Sequence, residues 1–200
     1  MFVIASDCLG GHLYRDMNKK HNHPFFWCVI PPNTLEALIT NFDIVYNFPK
    51  IERSLHWDDW RSAKNTFDVV LNNFHVHFIH NKLSLSDDSI RRVGGDIYYK
   101  YAYKLTYDNW ERRLERMPRD IEPQFIVTEH IGYGYTEKVL QRLANITKYK
   151  LLILTNKKIV GNPNAIVMKI SDYQISHYDN GRTQYILNEI KPRIKGWLIP

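Results

Sequence analysis

Four clusters of residues in this chain have types and spacing suited to chemistry. The first is Ser6-Asp7-Cys8-Leu9-Gly10-Gly11-His12-Leu13-Tyr14. Two glycines after a short apolar run let backbone N–H groups approach an anion at a helix N-terminus. Glycines so placed also serve tight turns. Cys8, at a helix start, reads either as an activated nucleophile or as a small buried hydrophobe. The second cluster is His75-Val76-His77-Phe78-Ile79-His80. The metallo-hydrolase pattern H-x-H-x-D-H needs an aspartate where Ile79 stands. Along a strand His75 and His77 share a face while His80 points to the other. A metal therefore requires the strand to end before His80. The other use of His77 or His80 is as a base or a phosphate contact.

The third cluster is Asn109-Trp110-Glu111-Arg112-Arg113-Leu114-Glu115-Arg116-Met117. On a helix Arg112 and Arg116 lie one turn apart, as do Glu111 and Glu115, while Trp110, Arg113 and Met117 share another stripe. This is either a solvated, salt-bridged helix or an arginine pair that grips a diphosphate, because guanidinium matches phosphate bidentately. The fourth is Thr128-Glu129-His130-Ile131-Gly132-Tyr133-Gly134-Tyr135-Thr136. Glu129 and His130 at a strand end are plausible acid/base groups, and Thr136 suits the cap of a following helix. No D-x-D element of metal-dependent glycosyltransferases occurs; Asp58-Asp59 and Asp87-Asp88 are adjacent pairs only. G-x-S-x-G, H-E-x-x-H and cysteine-pair zinc patterns are absent too.

Short apolar runs alternating with amphipathic stretches position these clusters, and that alternation predicts an α/β domain. Strands are expected over 2–6, 25–30, 44–48, 68–71, 75–80, 124–128, 151–155 and 165–170. Asn72-Asn73 joins the fourth and fifth of these as a hairpin. Helices are expected over 11–19, from a cap at Asn33 or Thr34, over 89–117 either as one helix or as two divided at Gly94-Gly95, and over 135–144. Residues 57–60 read as loop. Strands ending in small or polar residues before helices predict a single Rossmann-like layered domain with a mixed, mostly parallel sheet. Ligands in such sheets sit beyond the carboxyl ends of the strands, which singles out 7–11, 129–134 and 155–158.

The whole chain is consistent with one such domain. It has 200 residues, 44% hydrophobic and 24% charged, enough to bury roughly 70% of its unfolded surface. Two cysteines are too few for a disulfide scaffold and point to a reducing compartment. No apolar run approaches the ~20 residues of a membrane span, and the first residues lack signal-peptide features. A cytoplasmic location is therefore expected. The net charge of +6 favours anionic partners or peripheral contact with a membrane through a basic surface. No RNA-binding aromatic signature or helix-turn-helix points to specific nucleic acid.

Taken in order, the clusters resemble the bacterial exopolysaccharide-biosynthesis family also catalogued as domain-of-unknown-function family nineteen-nineteen. Its opening strand and Gly-Gly-x-x-Tyr turn match 6–14. Its Ser-Pro-Phe element matches His23-Pro24-Phe25, and its Ile-His-Phe-x-His strand matches 76–80. Its Trp-x-Arg-Arg-x-x-Arg helix matches 110–116, its acidic loop 128–136, and its Phe-Thr-Asn/His-Lys strand end Leu154-Thr155-Asn156-Lys157. The resemblance spans about 2–158, leaving 159–200 as an extension of the same domain. Asp7 stands where Asn is usual, and His130-Ile131 replaces a charged pair in a longer loop.

The resemblance implies an α/β domain working in exopolysaccharide, capsule or lipopolysaccharide synthesis. The expected activity is transfer from a nucleotide sugar to a glycan acceptor. Ser6, Asp7, Gly10, Gly11, Tyr14, Arg112, Arg113, Arg116, Asn156 and Lys157 are the expected ligand contacts, the glycine turn and the arginines holding the diphosphate. His77, His80, Glu129 or His130 would supply the base. No motif demands a metal or another cofactor. The competing readings are an acyl or phosphate transferase acting on a glycan, and a non-catalytic module binding a glycan or a lipid-linked intermediate.

Overall fold

The computed structural model describes residues 2–7, 9–20, 23–26, 28–47, 49–53, 67–77, 95–170, 188–190 and 192. Expectations for Cys8, Trp57 to Trp60, His80 and Asp87-Asp88 lie outside these residues. The described part is an α/β fold built on a four-stranded parallel sheet flanked by helices, with a small antiparallel sheet beside it. The strands of the main sheet are β1 (Val3–Ala5), β5 (Gln124–Thr128), β6 (Leu151–Thr155) and β7 (Ala165–Lys169), in the spatial order β1-β5-β6-β7. The smaller sheet pairs β2 (Lys50–Arg53), β3 (Phe67–Leu71) and β4 (Phe74–His77).

Near-continuous apolar strands are what a parallel sheet covered on both faces requires. Alternate side chains divide between two cores. Ile4, Phe125, Val127, Leu151 and Ile153 face one core, with Leu35, Leu38 and Ile39 of helix α2 (Pro32–Thr40). Trp110 of α3 (Gly95–Glu115) and Leu140 and Leu143 of α4 (Glu137–Ile146) join them there. Val3, Ala5, Ile126, Leu152, Leu154 and Met168 face the other core, with Leu9, Leu13 and Tyr14 of α1 (Leu9–Asp16). The helices that directly follow β1 and β5 therefore lie on opposite faces. That divergence opens a crevice beyond the carboxyl ends of these two adjacent strands.

Several boundaries differ from expectation. The apolar run at 44–48 is not a strand. Phe42–Tyr46 form a 3-10 turn whose Asn41 side chain accepts from the Asp43 N–H at 3.3 Å. Short apolar runs do not distinguish strand from buried turn by periodicity alone. Phe25, Phe26, Cys28, Val29 and Ile30 are buried but, among the described residues, form no ladder; Val29 makes one bridge to His77. Helix α2 starts earlier than either proposed cap, with Pro31 as cap residue and Pro32 in the first turn. Its Thr34 hydroxyl instead donates to the His75 carbonyl at 2.7 Å, tying the helix to β4. Strand β2 was not expected, because the sequence Lys-Ile-Glu-Arg offers one apolar side chain to mark it. Among the described residues no helix is long and apolar enough to cross a membrane.

The hairpin forms as predicted, with Asn72 and Asn73 at φ of 48° and 69°. Two consecutive left-handed residues are the signature of a tight type I′ connection. Asparagine tolerates that region, whereas alanine pays a steric cost. Asn73→Ala is expected to lower stability by about 1 kcal/mol, and Asn73→Gly to preserve or raise it. Urea unfolding of both variants checks this.

Candidate active site

Three backbone hydrogen bonds tie the hairpin to the carboxyl end of β1. Val29 donates to His77 at 2.8 Å, His77 donates back at 2.9 Å, and Ile30 donates to the Ser6 carbonyl at 2.9 Å. His77, the last residue of β4, is thereby held beside the crevice. Register places Asp68 directly across from it. Asp68 is buried, and its Oδ2 lies 2.8 Å from His77 Nδ1 and 3.3 Å from His75 Nδ1. The two imidazoles share a face, as the strand period requires. His77 is almost fully buried, whereas the His75 side chain is 42% exposed. The His77 contact is one of ion-pair distance, whereas the hydrogen bond to this carboxylate is made with His75 Nδ1.

His77 lines a cavity of about 440 Å³ with Val29, Pro31, Pro32, Asn33, Gly132, Tyr133 and Gly134. The cavity wall therefore combines the segment after β1, the hairpin and the loop after β5. His130, in that loop, stacks on Tyr133 with centroids 4.2 Å apart and planes 22° apart. Glu129 is buried just past β5, and the Thr155 hydroxyl at the end of β6 donates to its carboxylate. Thr155 Oγ1 also accepts from the Lys157 N–H at 3.0 Å. Asn156 Oδ1 and Asp68 Oδ1 are buried without a hydrogen-bond donor among the described residues. Buried acceptors of this kind need an explanation, and one is a ligand's hydroxyl or amide.

The expected site residues thus divide. Ser6, Asp7, His77, Glu129, His130, Asn156 and Lys157 gather at the carboxyl end of the sheet. Gly10 and Gly11 are near them but lie inside α1 rather than in a turn before it. A Cβ at Gly10 would stand 3.1 Å from the Ala5 Cβ, so this glycine lets the helix pack close against β1. Asp7 Oδ1 accepts from the Leu9 N–H at 2.8 Å, placing a carboxylate where a phosphate was expected. Tyr14 is part of the core, and its hydroxyl accepts from the Val3 N–H at 3.1 Å.

The arginines lie elsewhere. The end of α3 packs by the 3-10 turn, where Glu111, Glu115 and Arg119 line a separate cavity with Asp43 and Tyr46. Phe42 of that turn touches Phe125 at the start of β5 and Tyr149 just before β6. This is the amino-terminal edge of the sheet. Arg112 is exposed and donates to Asn109 of its own helix at 2.6 Å, and Arg116 is exposed. Arg113 is half-buried on the Trp110 stripe, and burial lowers its guanidinium pKa from the ordinary value. Among the described residues no group of three or more His, Cys, Asp or Glu side chains is placed to hold a metal ion. Asp68, Asn33 and Tyr133 are site residues that the sequence reading missed.

Burial raises the pKa of the Tyr14 and Tyr135 hydroxyls, and for Tyr135 the Asp7 and Cys28 charges add to it. In the unfolded chain both ionise near pH 10. Above that pH the unfolded state binds fewer protons than the native one, so stability falls as pH rises. The expected slope is about 1.4 kcal/mol per pH unit for each tyrosine. Denaturant titrations between pH 9 and 11.5 should find this fall, and Tyr14→Phe should roughly halve its slope. A stability independent of pH in that window refutes the assignment.

No protein-family model matches the chain, and no curated protein matches it.

Proposed function

We propose that this chain is a transferase of surface-polysaccharide synthesis. It moves a sugar from a nucleotide-activated donor to a hydroxyl of a glycan acceptor. The carrying observation is the His77–Asp68 pair, 2.8 Å apart, on the wall of a cavity at the carboxyl end of a parallel sheet. His77 Nε2 removes the acceptor proton as the hydroxyl oxygen attacks the anomeric carbon, and the bond from that carbon to the nucleoside diphosphate breaks. Asp68, at ion-pair distance, stabilises the imidazolium that forms. Glu129, fixed by Thr155, and Asn156 Oδ1 supply acceptors for sugar or ribose hydroxyls. Lys157 is an exposed cation at this end of the sheet and suits the leaving diphosphate, in place of the three arginines.

The order of sequence blocks resembling the exopolysaccharide family supports the glycan as the acceptor. The basic surface suits peripheral contact with the membrane that carries such acceptors. The site's position at the strand ends is compatible with a nucleotide.

The test is a thermal-shift screen against nucleotide sugars, free nucleotides and glycans, with and without Mn²⁺, followed by turnover with any donor that shifts the protein. A ligand at a hundred times its Kd adds about 2.7 kcal/mol. Stabilisation by one nucleotide-sugar class, and release of its nucleotide on adding acceptor, is the expected result. Stabilisation by glycans alone supports the non-catalytic binding module instead, and silence across the panel removes the reading.

A further inference from the structure

The loop between β5 and α4 has the construction of a fixed platform. It is pinched at its neck by a pair of backbone bonds: His130 donates to Tyr135 at 3.2 Å and Tyr135 donates to His130 at 3.0 Å. The Tyr133 N–H closes the 3-10 turn inside it on the His130 carbonyl at 3.0 Å. Both glycines flanking Tyr133 are dictated by space or backbone. A Cβ at Gly132 would stand 3.1 Å from the His130 ring, and Gly134 has φ of 80° with Pro32 behind it at 3.4 Å. Gly132, by carrying no side chain, leaves room for the His130 ring where it stacks on Tyr133. An aromatic ring so fixed loses little conformational entropy when a ligand lies against it.

Tyr133 is also part of the cavity wall that holds His77. The described wall has Asn33 as its amide and carries no lysine or arginine, although the chain's net charge is +6. Asp68 stands behind His77. Such a wall suits an uncharged ring bearing hydroxyls and disfavours a phosphate, because charged groups need opposite charge when desolvated.

We propose that this cavity is the acceptor-sugar subsite. A pyranose ring lies on Tyr133, Asn33 hydrogen-bonds its hydroxyls, and one hydroxyl is directed to His77. This rests on the transferase reading for the last contact only. Stacking on Tyr133 and the bond to Asn33 need no catalysis.

The experiment is saturation-transfer NMR on the full chain without a donor. The probes are the methyl glycosides of glucose, galactose, mannose and N-acetylglucosamine, with adenosine and uridine as base-bearing controls. At least one glycoside is expected to bind. Tyr133→Ala should weaken it about tenfold, Tyr133→Phe should retain it, and Asn33→Ala should weaken it with the fold intact by circular dichroism. Should Tyr133→Ala unfold the protein, Asn33→Ala and the Gly132 and Gly134 amide shifts on titration carry the decision. Binding that leaves those amides unmoved overturns the proposal. So does binding of the nucleosides but of no glycoside, which would make the ring a base platform, and so does binding of no probe. Glycoside binding at Tyr133 without turnover on any donor leaves the sugar site standing and removes the transferase, and with it the acceptor role.

Discussion

Trp110→Ala is expected to lower folding stability by about 3–5 kcal/mol, the usual range for emptying a fully buried aromatic site. Trp110 is 2% exposed and meets Phe25 edge-on, with centroids 5.5 Å apart and planes at 83°. Among the described residues of helix α3, Trp110 is the apolar side chain fully buried in this core, and Tyr107 and Leu114 pack against it partly buried. Thr106 and Met117 are buried near it, while Lys104, Asn109, Arg112 and Glu115 are polar. Deleting the indole therefore leaves a cavity at the point where the long helix is attached to the first core. At roughly 2–4 °C per kcal/mol for a chain of this size, the melting temperature should fall by about 10 °C. Trp110→Phe should recover most of the loss. A drop below about 1 kcal/mol would show that α3 is not held there.

The second large effect concerns turnover. Once a donor and acceptor give a measurable rate, His77→Gln is expected to reduce kcat by about 10²–10⁴, the usual contribution of a positioned general base. Asp68→Asn is expected to reduce it comparably, because an amide in place of the carboxylate removes the countercharge to the imidazolium. The loss should fall mainly on kcat, with KM little changed, since neither side chain is needed to hold the ground-state ring on Tyr133. His75→Gln should reduce the rate far less, as His75 is largely outside the cavity. Full activity in His77→Gln would end the base assignment and turn attention to Glu129.

Much of this arrangement was legible in the chain. Strands 124–128 and 151–155 have the boundaries that their apolar runs give. The stripe of Trp110, Arg113 and Met117 is the inward side of its helix, and Arg112 and Arg116 face water. Asp68 was findable. A two-residue Asn-Asn turn fixes the hairpin register, and that register sets Asp68 opposite His77. What could not be read was long-range placement. Which end of the sheet receives the arginines depends on the path of the seventy residues between β2 and β5, and no spacing rule encodes it. Nor does sequence distinguish a glycine that makes a turn from one that lets a helix lean on a strand, as Gly10 does. Tyr133 was noticed as part of a motif, but its stacking on His130 arises from a loop geometry that periodicity does not describe.

The reciprocal bonds between Val29 and His77 also have a mechanical consequence. Together with the Ile30 N–H on Ser6, they are the backbone linkage between the small sheet and the main one at this site. His77 and the strand ends therefore move as one body only while these three amides are protected. Amide hydrogen exchange at Val29, Ile30 and His77 becomes a gauge of how firmly the hairpin is seated against the strand ends. Any ligand that bridges the cavity should slow all three together, without touching exchange in the hairpin turn.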